Sequence, residues 1–193
     1  MTKLILASAS PRRAQLLQQI GLKFAVKVSG VDENENEKDP ARLAKRLALN
    51  KANAVAMQLT QGIIIAADTV VCIDGKLLGK PKDSMEAKEM LRSLSGRTHH
   101  VLTGVAVIDS ENHRTLDHVE TTAVKMRHLR EEEIDGYVQS GEPFDKAGGY
   151  GIQGKAAIFV EKLDGCYFNV VGLPLSALCL MLEEMGVQIW GRS

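Results

Sequence analysis

The sequence predicts an α/β fold, on three observations. A short apolar run, Lys3 to Ala7, gives way at Ser10-Pro11 to a helical pattern and then to a second strand-like run, Lys23 to Val28. Gly62 to Ala67 is apolar without alternation, as expected of a strand covered on both faces. Two long β-rich stretches, Arg97 to Ile108 and Leu116 to Leu129, then follow one another and are expected to form an antiparallel ribbon.

The elements follow in order. Ser10 is the natural N-cap of the first helix, with Pro11 at its first position; Leu16, Leu17 and Ile20 form its buried side and Gly21 is a C-cap. Arg12 and Arg13 then fall in the first turn, where the helix dipole favours anions over cations. Either both side chains bend into solvent, or an anion held by the turn from Ser8 lies between them and the exposed backbone N–H groups.

Residues 32–39 contain no apolar side chain and read as a solvated acidic loop, in which Glu33 is the candidate metal ligand. Asp39-Pro40 starts a long helix, to about Leu59, with Leu43, Leu47 and Ala54 on one side. Lys51, in its middle, is either a surface lysine or a phosphate ligand.

The strand Gly62 to Ala67 runs into Asp68-Thr69. Ligands of open α/β sheets collect beyond the carboxyl ends of strands, so Asp68 is a candidate site carboxylate that needs a cation or metal as partner; the alternative is a turn residue before Val70 to Ile73. Asp74-Gly75 signals a type I′ hairpin that ends at Gly79-Lys80-Pro81, where Lys80 is a second candidate phosphate contact. Asp83 and Glu86 resemble a capping box for a structural helix ending at Ser95-Gly96. None of the five histidines has metal-ligand spacing, and those on strands read as surface or ribbon residues.

After a short acidic helix, Glu131 to Gln139, comes Asp145-Lys146-Ala147-Gly148-Gly149-Tyr150-Gly151-Ile152-Gln153-Gly154. Gly149 to Gly154 spells G-x-G-x-x-G, but the dinucleotide fingerprint needs a strand before it and a helix after it, and an irregular segment and a strand-like stretch, Ala156 to Leu163, stand there instead. The glycines point to a loop that lets backbone approach a ligand closely, with Asp145, Lys146 and Gln153 beside it. Asp164-Gly165 is expected to turn into a strand, Cys166 to Val171, before Gly172-Leu173-Pro174 opens the final helix.

The chain of 193 residues is read as a single domain, 1–193. Zero formal net charge and 4% aromatic residues argue against nucleic-acid binding, and three scattered cysteines suit a reducing compartment. No charged-then-apolar leader or membrane-length apolar run is seen, so the expected location is cytoplasmic with no membrane partner. Arg12, Arg13, Lys51, Lys80 and Lys146, with the acids Glu33, Asp68 and Asp145, suit a polyphosphate and a divalent cation, Mg²⁺ or Mn²⁺. A free aspartate, with a pKa of about 3.9, is a weak base for water, so hydrolysis by such a set needs a raised pKa or a metal.

Motifs along nearly the whole chain resemble the Maf family of nucleotide pyrophosphatases: Ala7 to Arg13, Arg46-Leu47-Ala48 with Lys51-Ala52, Ala67-Asp68-Thr69, Gly79-Lys80-Pro81, Leu94 to His99, Asp145 to Gly154 and Val171 to Pro174. The resemblance implies an elongated mixed sheet flanked by helices, with an active-site cleft, akin to that of the inosine triphosphate pyrophosphatases. It further implies a homodimer and metal-dependent hydrolysis of a nucleoside triphosphate to monophosphate and pyrophosphate. Asp68 becomes the proton acceptor or metal-linked base, and Arg12, Thr69 and Gln153 the residues that select the substrate. The loop through Gln153 resembles the branch acting on dTTP and UTP, departing from it at Gly149, where alanine is usual. A glutamine amide can donate to and accept from the imide edge shared by thymine and uracil. The family also carries a link to inhibition of septum formation, so a non-catalytic nucleotide-binding regulator of cell division is the competing reading.

Overall fold

Strand β1 (Leu4–Leu6) is buried along its length, and helix α1 (Pro11–Gln19) follows after a four-residue turn. The computed structural model describes residues 3–31 and 36–190. At the end of α1, Gly21 N–H donates to Gln18 O (2.9 Å) and Leu22 N–H to Leu17 O (3.1 Å), the paired bonds of a Schellman stop. Strand β2 (Phe24–Val26) then runs parallel to β1. Helix α2 (Pro40–Ala56) is capped as expected, Asp39 Oδ1 accepting from Ala41 N–H (2.9 Å) and Arg42 N–H (3.0 Å).

The continuous apolar run becomes β3 (Ile63–Ile73), longer than the sequence suggests because it carries straight on through Asp68 and Thr69. Asp74 and Gly75, with φ of 50° and 74°, then turn the chain into β4 (Lys76–Leu78), the double positive φ that a type I′ hairpin demands. Helix α3 (Ser84–Leu94), the long strands β5 (Thr98–Asp109) and β6 (Arg114–Met126), and helix α4 (Glu131–Gln139) come next. Three 3₁₀ turns (Glu142–Asp145, Ala147–Gly149, Lys155–Phe159) lead to β7 (Val160–Asp164), α5 (Tyr167–Val171) and α6 (Leu175–Glu184).

Among the described residues seven strands pair in the order β2-β1-β3-β5-β6-β7, with β4 on β3. The sheet is mixed: β2, β1 and β3 are parallel, whereas β4 and β7 pair antiparallel with β3 and β6.

Two compact units divide the chain: Met1–Asp68, Thr103–Glu120 and Gly172–Ser193 in one, Thr69–Leu102 and Thr121–Val171 in the other. In the first, Ala48, Ala52 and Val55 of α2 pack with Ile5, Ile64, Ala66, Ala106 and Ile108 of the strands. Each fully buried Ile contributes roughly 2 kcal/mol through the water it sheds. In the second, Leu91 and Leu94 of α3 and Ile134 and Tyr137 of α4 share a core with Val71, Val124, Met126 and Phe159.

Two expected strands are corrected. The 3₁₀ turn Lys155–Phe159 takes up the start of the anticipated strand Ala156 to Leu163, and β7 starts only at Val160. Within the anticipated hairpin strand Cys166 to Val171, residues Tyr167–Val171 form α5 instead. Tertiary contacts override the apolar pattern here. Thr122 Oγ1 donates to Cys166 O and accepts from Cys166 N–H (both 3.0 Å), and Asn169 Nδ2 donates to Val101 O and Thr122 Oγ1 (both 2.9 Å).

Candidate active site

Five of the expected site residues, Ser8, Arg12, Arg13, Lys51 and Asp68, belong to the first unit. Strand β1 stays in parallel register with β3, Leu6 opposite Ile65, and its last ladder bond runs from Ala7 N–H to Ile65 O (2.7 Å). Beyond this point β1 turns away and β3 continues. Asp68 therefore lies within a strand whose neighbour on the β1 side has ended, not at a strand end as the sequence suggests. Ile64, Ala66 and Asp68 share one face of β3 by the two-residue period, and it is the face on which α2 packs.

Helix α2 meets that face with Ala44, Leu47, Ala48, Lys51, Ala52 and Val55. Lys51 is thus not a surface lysine. It is 8% exposed, as is Asp68, and its Nζ is ion-paired with Asp68 Oδ1. The signal was in the sequence: Lys51 stands four residues after Leu47 and four before Val55, on the buried stripe.

The opening turn is built around Ser8. Its buried hydroxyl accepts from Ser10 N–H (3.2 Å) and from Arg13 Nη1 (3.1 Å), while Arg13 Nε donates to Gly172 O (2.8 Å). Ser10 occupies the N-cap position without a side-chain cap bond. Arg13, only 9% exposed, braces the turn against the segment before α6, and Arg12 beside it is half-buried.

Thr69, Lys80 and Gln153 belong to the second unit. Thr69 follows Asp68 on β3 and is half-buried; Lys80 and Gln153 have exposed side chains. Asp145 accepts from Lys146 Nζ (2.5 Å). Glu33 lies outside the described residues, among which no group of three or more His, Cys, Asp or Glu side chains comes together.

The expectation that the strand histidines are surface or ribbon residues fails at His99. It is fully buried, its Nε2 2.7 Å from the Tyr150 hydroxyl, and Nδ1 has no hydrogen-bond partner among the described residues. Burial, and then the charge of neighbouring His100, depress its pKa from 6.5 to about 4. Alternation along β5, with Thr98 and His100 exposed and His99 and Val101 buried, is the signal that would have found it.

A family model described as Maf-like protein matches residues 3–185. The chain belongs to this family. A dTTP/UTP pyrophosphatase of Desulforamulus reducens is 50% identical over 191 residues, covering 98% of this chain and all of that relative. A dTTP/UTP pyrophosphatase of Alkaliphilus metalliredigens is 51% identical over 187 residues (95% of this chain, 96% of the relative), and one of Moorella thermoacetica is 49% identical over the full length of both. Among solved structures, the Staphylococcus aureus Ham1 protein matches with a TM-score of 0.55 over 95% of this chain and all of that one; at 16% identity this likeness speaks for the Maf-like fold alone.

Proposed function

We propose that this Maf-like chain is a nucleoside triphosphate pyrophosphatase that hydrolyses dTTP and UTP to the monophosphate and pyrophosphate, clearing unwanted or modified pyrimidine nucleotides. Half-identical relatives matched end to end support the substrate class. One observation carries the chemistry: a buried carboxylate, Asp68, sits on a strand face with its charge offset by Lys51, beyond the end of β1.

In this reading Asp68 accepts the proton of a water that attacks the α-phosphorus. The bond from that phosphorus to the α–β bridging oxygen breaks and pyrophosphate leaves with the electron pair. Lys51 balances the carboxylate and binds phosphate, as do Ser8, Arg12, Arg13 and Lys80, with the N–H groups opening α1 adding a positive dipole end. Arg12, Thr69 and Gln153 select the substrate.

The donor set fits a hard divalent cation, since Mg²⁺ and Mn²⁺ need only one or two protein carboxylates when phosphates complete the shell. Asp68 would hold it, with Glu33 as second ligand, and the bound cation would supply Lewis acidity toward phosphoryl oxygens. The reading includes a homodimer, as the Maf resemblance implies, and the cytoplasmic location expected from the sequence. No helix among the described residues is long and apolar enough to cross a membrane.

A panel of nucleoside triphosphates with Mg²⁺ or Mn²⁺, assayed for pyrophosphate, tests the function. Fastest release from dTTP and UTP is expected. Orthophosphate as the only product would overturn α–β cleavage, and tight binding without turnover would favour the regulatory reading.

A further inference from the structure

The loop that carries Gln153 is held by two side chains the function does not yet use. Glu142, in the 3₁₀ turn after α4, divides its carboxylate between two tasks. Oε1 accepts from the Tyr137 hydroxyl (3.1 Å), and Oε2 accepts from the backbone N–H of Lys155 (3.1 Å), two residues past Gln153. Tyr137 is itself a fixed point, buried on α4 with its ring edge-on to Phe159 at 5.3 Å. The carboxylate thus ties the far end of the loop to a rigid helix through a charge-assisted bond.

The near end is held as closely. Lys146 Nζ donates to Glu142 O (2.7 Å) and to Asp145, and its stem lies where a Cβ on Gly151 would come within 2.6 Å of Cε. A Cβ on Gly154 would collide with Glu142 Oε1. The glycines flanking Ile152-Gln153 are therefore the positions at which Lys146 and Glu142 press against the backbone. Gly154 N–H to Gly151 O (3.1 Å) closes the turn between them. Gln153 itself remains exposed.

We infer that Glu142 is a positioning residue for base selection: by gripping Lys155 N–H and abutting Gly154, it fixes the backbone from which Gln153 presents its amide to the pyrimidine. The inference rests on the proposed role of Gln153. An amide that must donate and accept at once is selective only if its carbonyl and NH₂ are held at fixed places, because a loop free to shift lets it pair with a wrong base edge.

The test compares kcat/KM for UTP with that for CTP in wild type, Q153A, E142A, E142Q and the E142A/Q153A double variant, together with amide hydrogen exchange at Lys155. E142A is expected to lower the UTP-to-CTP ratio about tenfold and to speed Lys155 exchange, and the double variant should be no less selective than Q153A, since coupled residues are not additive. E142Q should retain most of the selectivity, because its amide oxygen still accepts from Lys155 N–H while its NH₂ can turn to the Tyr137 oxygen. If E142A does not fold, G154A attacks the same contact from the loop side and should give the same loss. A lowered ratio in Q153A with unchanged ratios in E142A and G154A would overturn this inference alone. An unchanged ratio in Q153A would overturn the role of Gln153 and this inference with it, and no pyrophosphate from any triphosphate would overturn both together with the function.

Discussion

Lys51 of α2 and Asp68 of β3 form a buried ion pair, each 8% exposed, on the face where that helix packs against the strand. Two charges out of water are tolerable only as a pair, so each residue makes the other possible. K51M is therefore expected to strand a buried carboxylate and to lower stability by about 3 kcal/mol. Urea denaturation at pH 7 measures it. The K51M/D68N double variant should regain part of the loss; equal instability of single and double variants would show that the pair is not what Lys51 contributes.

Arg13 reaches Ser8 and Gly172 with two different nitrogens of its fork, a geometry that a lysine ammonium does not reproduce. R13K should consequently cost about 2 kcal/mol, the loss of one buried bond to a charged donor. Denaturant midpoints of the two proteins check this, and an unchanged midpoint would mean that the brace is not structural.

His99 makes stability depend on pH. The unfolded imidazole titrates near 6.5 and the folded one at about 4, held down by burial and next by His100. Below about pH 6.5 the unfolded chain binds a proton that the folded chain does not. The contribution is thus complete above that pH and is lost as pH falls toward 4, up to about 3 kcal/mol. Unfolding curves at pH 7 and pH 5 should show the loss in wild type and a flatter dependence in H99Q; the same slope in both would remove His99 as its source.

Gly104 lies on β5, where a Cβ would collide with the backbone carbonyl of Ala44 in α2. Backbone cannot swing aside as a side chain can, so G104A should destabilise by about 2 kcal/mol, as overpacked cores do. Thermal unfolding tests it, with an unshifted midpoint as the contrary result.

Local signals carried much of the fold. Asp39-Pro40, Asp74-Gly75 and Gly21 act through neighbouring backbone atoms, and the cap, hairpin and helix stop stand where these residues direct them. What was illegible depended on distant partners. Cys166 to Val171 looks like a strand until Thr122 and Val101 hold it through Cys166 and Asn169, and Asp68 looks like a strand end because the end of β1 beside it is not written in β3. In the site, the sequence leaves Lys51 as either a surface lysine or a phosphate ligand, although its spacing from Leu47 and Val55 puts it on the buried stripe. Glu142 gave no sequence signal at all. Its role exists only where Tyr137, Gly154 and Lys155 meet.

On the proposed function, this chain cleaves a pyrimidine nucleoside triphosphate between its α- and β-phosphorus atoms, with Asp68 as proton acceptor. Pyrophosphate release from dTTP with Mg²⁺ or Mn²⁺, measured for wild type and for D68N with matched circular dichroism spectra, tests it most directly. One pyrophosphate per dTMP in wild type and at least about a hundredfold slower release in D68N are predicted, the upper range for losing a general base being about 10⁴. Near-wild-type release by a folded D68N would contradict it.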